Sequence, residues 1–214
     1  MICLLCRHRT HKAKKIRRKR IYPRKKSSET AAQGGIVRRG KFAQNGEIKP
    51  PAGAHPQRYR LLMHLNDTEI WRHLEIPGSM SFADLHSAIQ IAFGWEDMHL
   101  HLFTVHKMRI GICPDGNVDD LPPNFYFEED VCLELILLNV KKFLYEYDFG
   151  DGWAVTIYVE KAEEVQKVSP PRLINLCGGM ACDDCGGPDG LAELPPIAAD
   201  IAELNLILEE TFDQ

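Results

Sequence analysis

The chain has 214 residues, 44% of them hydrophobic and 26% charged, which is enough apolar material for one cored domain with an ordinary globular charge content. Its net charge of −4 conceals a split: residues 1–57 carry 16 Lys/Arg against two acids, and residues 58–214 carry 10 against 28. No apolar run approaches the roughly 20 residues a membrane span needs, the opening MICLLC is too short for a signal-peptide core, and seven cysteines, an odd count, argue against a secreted disulfide framework.

These features predict a soluble, cytoplasmic protein without a membrane partner. Residues 1–56 read as a basic, disordered tail and residues 57–214 as the domain. HKAKKIRRKRIYPRKK (11–26) has no apolar periodicity and too little surface to bury to offset its ordering entropy. Lys14, Lys15, Arg17, Arg18, Lys19 and Arg20 would bind nucleic acid by neutralising phosphates, without sequence preference; the alternative partner for the chain is another protein. Cys3, Cys6, His8 and His11 crowd together, with too little chain between them to wrap a tetrahedral ion.

RYRLLMHL (58–65) alternates, with Tyr59, Leu61, Met63 and Leu65 on one face, and EIWRHLEI (69–76) alternates again through Ile70, Leu74 and Ile76. With Asn66-Asp67 between them, they predict a hairpin. Ser81 followed by Asp84 marks a helix N-terminus, Phe82, Leu85, Ile89, Ala92 and Phe93 give its apolar stripe, and Gly94 its stop. HLHLFTVH (99–106) predicts a strand carrying His99, His101, Phe103 and Val105 on one face. CPDGNVDDLPPN (113–124) reads as a loop and EEDVCLELILL (128–138) as a short helix buried through Val131, Leu135 and Leu138.

KFLYEYDFGDGWAVTIYVE (142–160) predicts a second hairpin. A three-residue loop, Gly150-Asp151-Gly152, would set Phe149 opposite Trp153, Tyr147 opposite Val155, Tyr145 opposite Ile157 and Phe143 opposite Val159. One face is then aromatic and apolar; the other gathers Glu146, Asp148, Thr156 and Glu160. SPPRLINLCGGMACDDCGGPDG (169–190) reads as an irregular Gly/Pro/Cys segment, and residues 196–212 as an amphipathic helix with Ile197, Ile201, Leu204 and Leu208 on its stripe. The whole predicts an α+β fold: a single domain with a mainly antiparallel sheet of about five strands and two or three packed helices.

Three blocks, EIWRHLEIPGSMSFADLHSAIQIAFGWEDMHLHLF, KFLYEYDFGDGW and CGGMACDDCGGPDG, occur in an order that resembles the plasmid pRiA4b ORF-3-like family over roughly residues 57–190. The resemblance implies an α+β domain without an established biochemical activity, carried on plasmids, in bacterial and archaeal genomes and as an insertion-sequence passenger labelled TnpR. The chemistry of a serine recombinase, a nucleophilic Ser with an Arg cluster around the scissile phosphate, has no counterpart in residues 58–214.

Cys177, Cys182 and Cys185 lie within nine residues of a Gly-rich loop, a pattern that suits Zn²⁺. His101 would complete the site; His99, Asp183 or a water are the other candidates, and reduced thiols or one loop disulfide the plain alternative. Glu146, Asp148 and Asp151 near the hairpin tip, with His99 and Trp153, are the candidate functional residues, since paired carboxylates do acid–base work or hold a cation. Turn formation alone also explains the aspartates. Two function classes follow: a non-enzymatic, mobile-element-associated interaction domain, which leads, and a metal-dependent hydrolase or nuclease using Asp148, Asp151 and the Cys/His cluster.

Overall fold

The computed structural model describes residues 57–113 and 116–213; the basic segment, including Lys14 to Arg20, lies outside them. The elements are β1 (Gln57–Leu65), β2 (Trp71–Pro77), α1 (Phe82–Phe93), β3 (His101–Val105), β4 (Met108–Gly111), β5 (Phe125–Phe127), α2 (Leu133–Leu137), β6 (Lys142–Tyr147), β7 (Trp153–Glu164), β8 (Arg172–Cys177), α3 (Gly187–Ala192) and α4 (Ile201–Phe212). All eight strands join one sheet in the order β5-β4-β3-β6-β7-β1-β2-β8. Every neighbouring pair is antiparallel except β4–β5. The α+β class and the mainly antiparallel sheet stand, but the sheet has eight strands and the domain four α-helices. β4, β5 and β8 escape the periodicity argument because they are short and lie among Gly, Pro and Cys residues; β5 has three residues and no alternation to read.

The alternation in β1 is a true inside–outside pattern: Tyr59, Leu61, Met63 and Leu65 are buried and their neighbours half-exposed. The same face continues through Leu74 and Ile76 of β2, Phe103 and Val105 of β3, Tyr145 of β6 and Val155 of β7, and α1 supplies Phe82, Leu85, Ile89 and Phe93 to the same core. α1 begins in a capping box. The Ser81 hydroxyl accepts from the Asp84 amide at 3.1 Å, and the Asp84 carboxylate accepts from the Ser81 amide at 3.0 Å. It ends at Gly94, whose φ of 89° is the left-handed geometry a stop requires.

The second hairpin keeps its predicted face and changes its register. Tyr147 pairs with Trp153, Tyr145 with Val155 and Phe143 with Ile157, so the connection is the five residues 148–152. A shift of two residues preserves which side chains point inward. The shift arises at Asp148, which turns the chain with φ 49°, and Phe149 is 57% exposed rather than paired. α2 buries Leu133, Ile136 and Leu137 and leaves Leu138 exposed, a different stripe from the one predicted. α4 starts at the Asp200 cap, so Ile197 falls outside it, half-exposed, while Leu204 and Leu208 are buried as expected.

Two polar side chains fasten the outer strands. Arg72 on β2 is fully buried, and among the described residues no carboxylate pairs with it. Its guanidinium donates to four carbonyls: Trp71 at 3.0 Å, Ala92 at 2.8 Å, Cys177 at 2.7 Å and Gly179 at 2.5 Å. It thus ties the end of α1 and the start of the Cys-containing loop to β2. At the sheet edge, Asn205 of α4 accepts from the Leu173 amide at 2.7 Å and donates to the Leu173 carbonyl at 2.9 Å, taking the place of a neighbouring strand. Among the described residues no helix is long and apolar enough to cross a membrane.

Candidate functional site

α1, the segment 94–100, β3, β6 and the hairpin tip converge at one end of the sheet, and two polar clusters lie there. The inner one is buried. His86 and Gln90, one turn apart on α1, face Tyr145. The Asp97 amide donates to Gln90 Oε1, Gln90 Nε2 to the Tyr145 hydroxyl, and His86 is bonded to that hydroxyl through Nδ1 and to Asp97 Oδ1 through Nε2, all at 2.9 Å. Read in sequence, the bonds close into a ring that begins and ends at Asp97. This assigns His86 as neutral, with its proton on Nε2. Burial, then the neighbouring His101, holds the His86 imidazole below its ordinary value, which agrees with that state.

His101 stacks on His86, with ring centroids 3.5 Å apart, and its Nε2 meets Glu128 Oε2 at 2.5 Å. Its Nδ1 is buried without a partner. His86, Asp97 and His101 lie within ligand distance of one another, but they suit a metal poorly. Parallel stacked rings direct their lone pairs into separate planes, and both His86 nitrogens are already hydrogen-bonded. Apart from His101 Nδ1, the inner cluster is a hydrogen-bonded network that positions β3 under α1.

The outer cluster opens to solvent. Asp148 is 7% exposed, and its two carboxylate oxygens have separate tasks. Oδ1 accepts from the amides of Gly150 at 3.1 Å and Asp151 at 3.4 Å and so builds the turn; Oδ2 faces His99 Nε2 at 3.5 Å. The Asp148 amide donates to Leu100 O at 3.0 Å, which fixes the tip against the chain leading into β3. The third member is Asp184, whose Oδ1 is 3.2 Å from His99 Nε2. It arrives from the Cys-containing loop because that loop docks on the tip. Asp151 Oδ2 accepts from the Gly186 amide at 2.9 Å, and the Asp151 carbonyl lies 2.3 Å from where a Cβ on residue 187 would stand, so only glycine fits there.

Both carboxylate contacts of His99 are within ion-pair reach, yet neither has hydrogen-bond geometry, and the buried Nε2 has no hydrogen-bond partner. The separations are also compatible with atoms sharing an ion. Two ligands each ~2.1 Å from a metal at a tetrahedral angle lie ~3.4 Å apart. Asp183 backs the cluster: Oδ1 accepts from the Tyr147 hydroxyl at 3.0 Å and Oδ2 from the Glu96 amide at 2.7 Å. Burial raises the Asp183 carboxyl above its usual range and, together with Asp183, pushes the Tyr147 phenol well up, so the phenol keeps its proton and donates it. Among the described residues no Lys or Arg pairs with Asp148, Asp151, Asp183 or Asp184, and the mouth is electronegative.

The predicted ligand set of Cys177, Cys182, Cys185 and His101 is not assembled. Cys177 is exposed at the end of β8, held there by Arg72, and His101 is enclosed beneath α1. Among the described residues the ligand-distance groups are the two His/Asp clusters. Cys182 and Cys185 bracket Asp183 and Asp184 in sequence. The structure does bring together His99 and Asp148, with Asp151 supporting the turn. Glu146 pairs with Ala154 on the opposite sheet face, and Trp153 is a buried wall 5.6 Å from Trp95. The sequence reading missed Asp184, although the neighbouring Asp183 was weighed as a ligand, and it missed His86 and Gln90, whose i, i+4 spacing inside an apolar stripe was the available signal.

The sequence profile of the family described as plasmid pRiA4b ORF-3-like protein matches residues 57–213. The uncharacterised protein y4hQ of Sinorhizobium fredii is 30% identical over 145 residues, which is 67% of this chain and 74% of that protein. The crystal structure of MM3350, a protein of unknown function from Methanosarcina mazei Go1, superposes with a TM-score of 0.56 at 31% identity, covering 65% of this chain and 80% of that one.

Proposed function

This chain belongs to the plasmid pRiA4b ORF-3-like family, and we propose that its domain is a metal-dependent hydrolase whose cation is held by His99, Asp148 and Asp184. The observation that carries the reading is the buried, unpartnered His99 Nε2 facing one oxygen from each carboxylate at 3.5 and 3.2 Å. One imidazole and two carboxylates bind a divalent ion of the Mn²⁺ or Zn²⁺ class and leave coordination positions free. Of the three residues, Asp184 is the solvent-facing one, 76% exposed. A cation held there would lower the pKa of a bound water and polarise an oxyanionic substrate. The chain's own contribution is placement: Asp148 is fixed by its turn, His99 lies in the segment that leads into β3, and Asp184 is carried by the docked loop. The interaction-domain reading, with nucleic acid bound through the basic segment, rests on the 16 Lys/Arg of residues 1–57 alone.

The test is Mn²⁺ titration of chelator-treated full-length protein, followed by hydrolysis assays on chromogenic phosphate and carboxylate esters with the ion present. One equivalent of Mn²⁺ is expected to bind, with affinity lowered at least about tenfold by His99→Ala. Hydrolysis is expected only with the ion bound. Wild-type protein that binds no Mn²⁺, or a His99→Ala protein that binds it unchanged, refutes the site. Binding without turnover of any ester class refutes the hydrolase.

A further inference from the structure

We propose that Cys182 and Cys185 form a reversible disulfide that controls access of the cation to His99, Asp148 and Asp184. The inference rests on the metal site proposed above. It begins from the order of residues in the loop: Cys182-Asp183-Asp184-Cys185 places the exposed ligand and its anchored neighbour between two thiols. Asp183 and Asp184 are the central residues of a turn, and Asp184 has φ 54°. The ends of a four-residue turn come within about 7 Å, which overlaps the Cα separation of about 4.4–6.8 Å that a disulfide requires. The Cys185 thiol already reaches the start of the turn, donating to the Cys182 carbonyl at 3.3 Å. Cys132 is bonded elsewhere, to Gly78 O at 2.9 Å, and Cys177 is held beside β2 through the Arg72 contact to its carbonyl.

The chemistry balances with a small-molecule disulfide as oxidant. One protein thiolate attacks it and releases one small thiol, and the second protein thiolate displaces the other. One S–S bond forms in the protein, one breaks in the oxidant, and the two electrons and two protons leave as two small thiols.

The direction of the effect follows from what is fixed. Asp183 is pinned at both oxygens, by Tyr147 and Glu96, and the chain just after Cys185 is pinned by Gly186 and Gly187 against Asp151. Drawing the sulfurs to bonding distance, ~2.05 Å, therefore displaces the stretch between these two anchors, Asp184. Its carboxylate leaves His99, and the site loses its solvent-side ligand. The dithiol form binds the ion and the disulfide form binds it weakly.

The experiment uses the full chain, reduced with dithiothreitol or oxidised with excess glutathione disulfide, with peptide mass mapping of the bridge. Mn²⁺ is the probe, because it avoids the thiolate affinity that would confuse a Zn²⁺ titration. A Cys182–Cys185 bridge, Mn²⁺ binding weakened at least about tenfold by oxidation, recovery with dithiothreitol, and no response in a Cys182→Ser/Cys185→Ser double variant are expected. Absence of that bridge, or equal binding in both states, overturns the switch and leaves the metal site standing. If the reduced protein binds no Mn²⁺, the metal site fails and the switch fails with it.

Discussion

The imidazole rings of His86 and His101 are stacked, with centroids 3.5 Å apart and planes 9° from parallel, and each meets a carboxylate, Asp97 for one and Glu128 for the other. Two protonated rings in that stack would repel, and burial already disfavours charge on His86. In the unfolded chain an imidazole takes its proton near ~6.5. With the folded value lower, the stabilisation from His86 is complete above that pH and is lost as the pH falls through it toward the folded value. Urea midpoints measured from pH 8 down to 5 should therefore decline below about 6.5, and His86→Gln should shed roughly one proton's worth of that slope. A flat wild-type profile would contradict the neutral assignment. Asp97, Glu128, Tyr145 and His101 all contact this ring or its stack, so their variants serve as controls.

Arg72 gives the second prediction. Burial brings its guanidinium down to about 10, yet it remains charged at neutral pH, compensated by four carbonyls and the Phe93 ring 5.2 Å away. Lysine keeps the charge and loses the planar fork. Arg72→Lys should cost about 2–4 kcal/mol in chemical denaturation, since several buried carbonyls lose their donor. A variant as stable as wild type would mean those bonds contribute nothing.

Asp148 separates turn from ligand. Asn tolerates the left-handed conformation and its side-chain oxygen still accepts from the following amides. Asp148→Asn should leave stability within about 1 kcal/mol while weakening Mn²⁺ by at least about tenfold. Asp148→Ala should lose both, with a further strain cost of about 1 kcal/mol at φ 49°. Equal metal affinity in wild type and the Asn variant would remove Asp148 from the site.

Gly187 tests the docking of the loop. A methyl group there meets the Asp151 carbonyl, whereas Gly152, with φ 71°, has open space around it. Both Ala variants incur backbone strain of about 1 kcal/mol, but only Gly187→Ala should also weaken Mn²⁺ binding, although it touches no ligand. Matching effects from the two variants would show that loop docking does not place Asp184.

Much of the scaffold is legible locally. Tyr59, Leu61 and Met63 alternate because β1 has one wet face, and Ser81, Asp84 and Gly94 mark α1 because unpaired helix ends demand such residues. The inward face of the hairpin survived an error of two in register, since side-chain direction repeats every two residues. The turn itself did not survive. A left-handed Asp148 is chosen by its hydrogen bonds to Gly150 and Asp151, not by composition. His99 and Asp148 were recognisable as candidates from their type and neighbourhood. Asp184 was not, because its position depends on Gly187 approaching Asp151 across 36 residues of chain. For the three cysteines nearness in sequence is silent about Arg72, which binds the Cys177 carbonyl, and among the described residues no ligand-distance group contains them.

The carboxamide of Asn205 against Leu173 has a consequence for life in a crowded solution. An outer strand is a template on which a stranger's backbone can zip, and long flat ones seed fibrils. β8 would be such a template along its free side. The Asn205 amide fills the slot at Leu173 with the same donor and acceptor that an invading strand would bring, and α4 shields the backbone around it. α4 therefore acts as a guard on the sheet, and a chain cut before Ile201 would keep His99, Asp148 and Asp184 while becoming sticky toward its own copies.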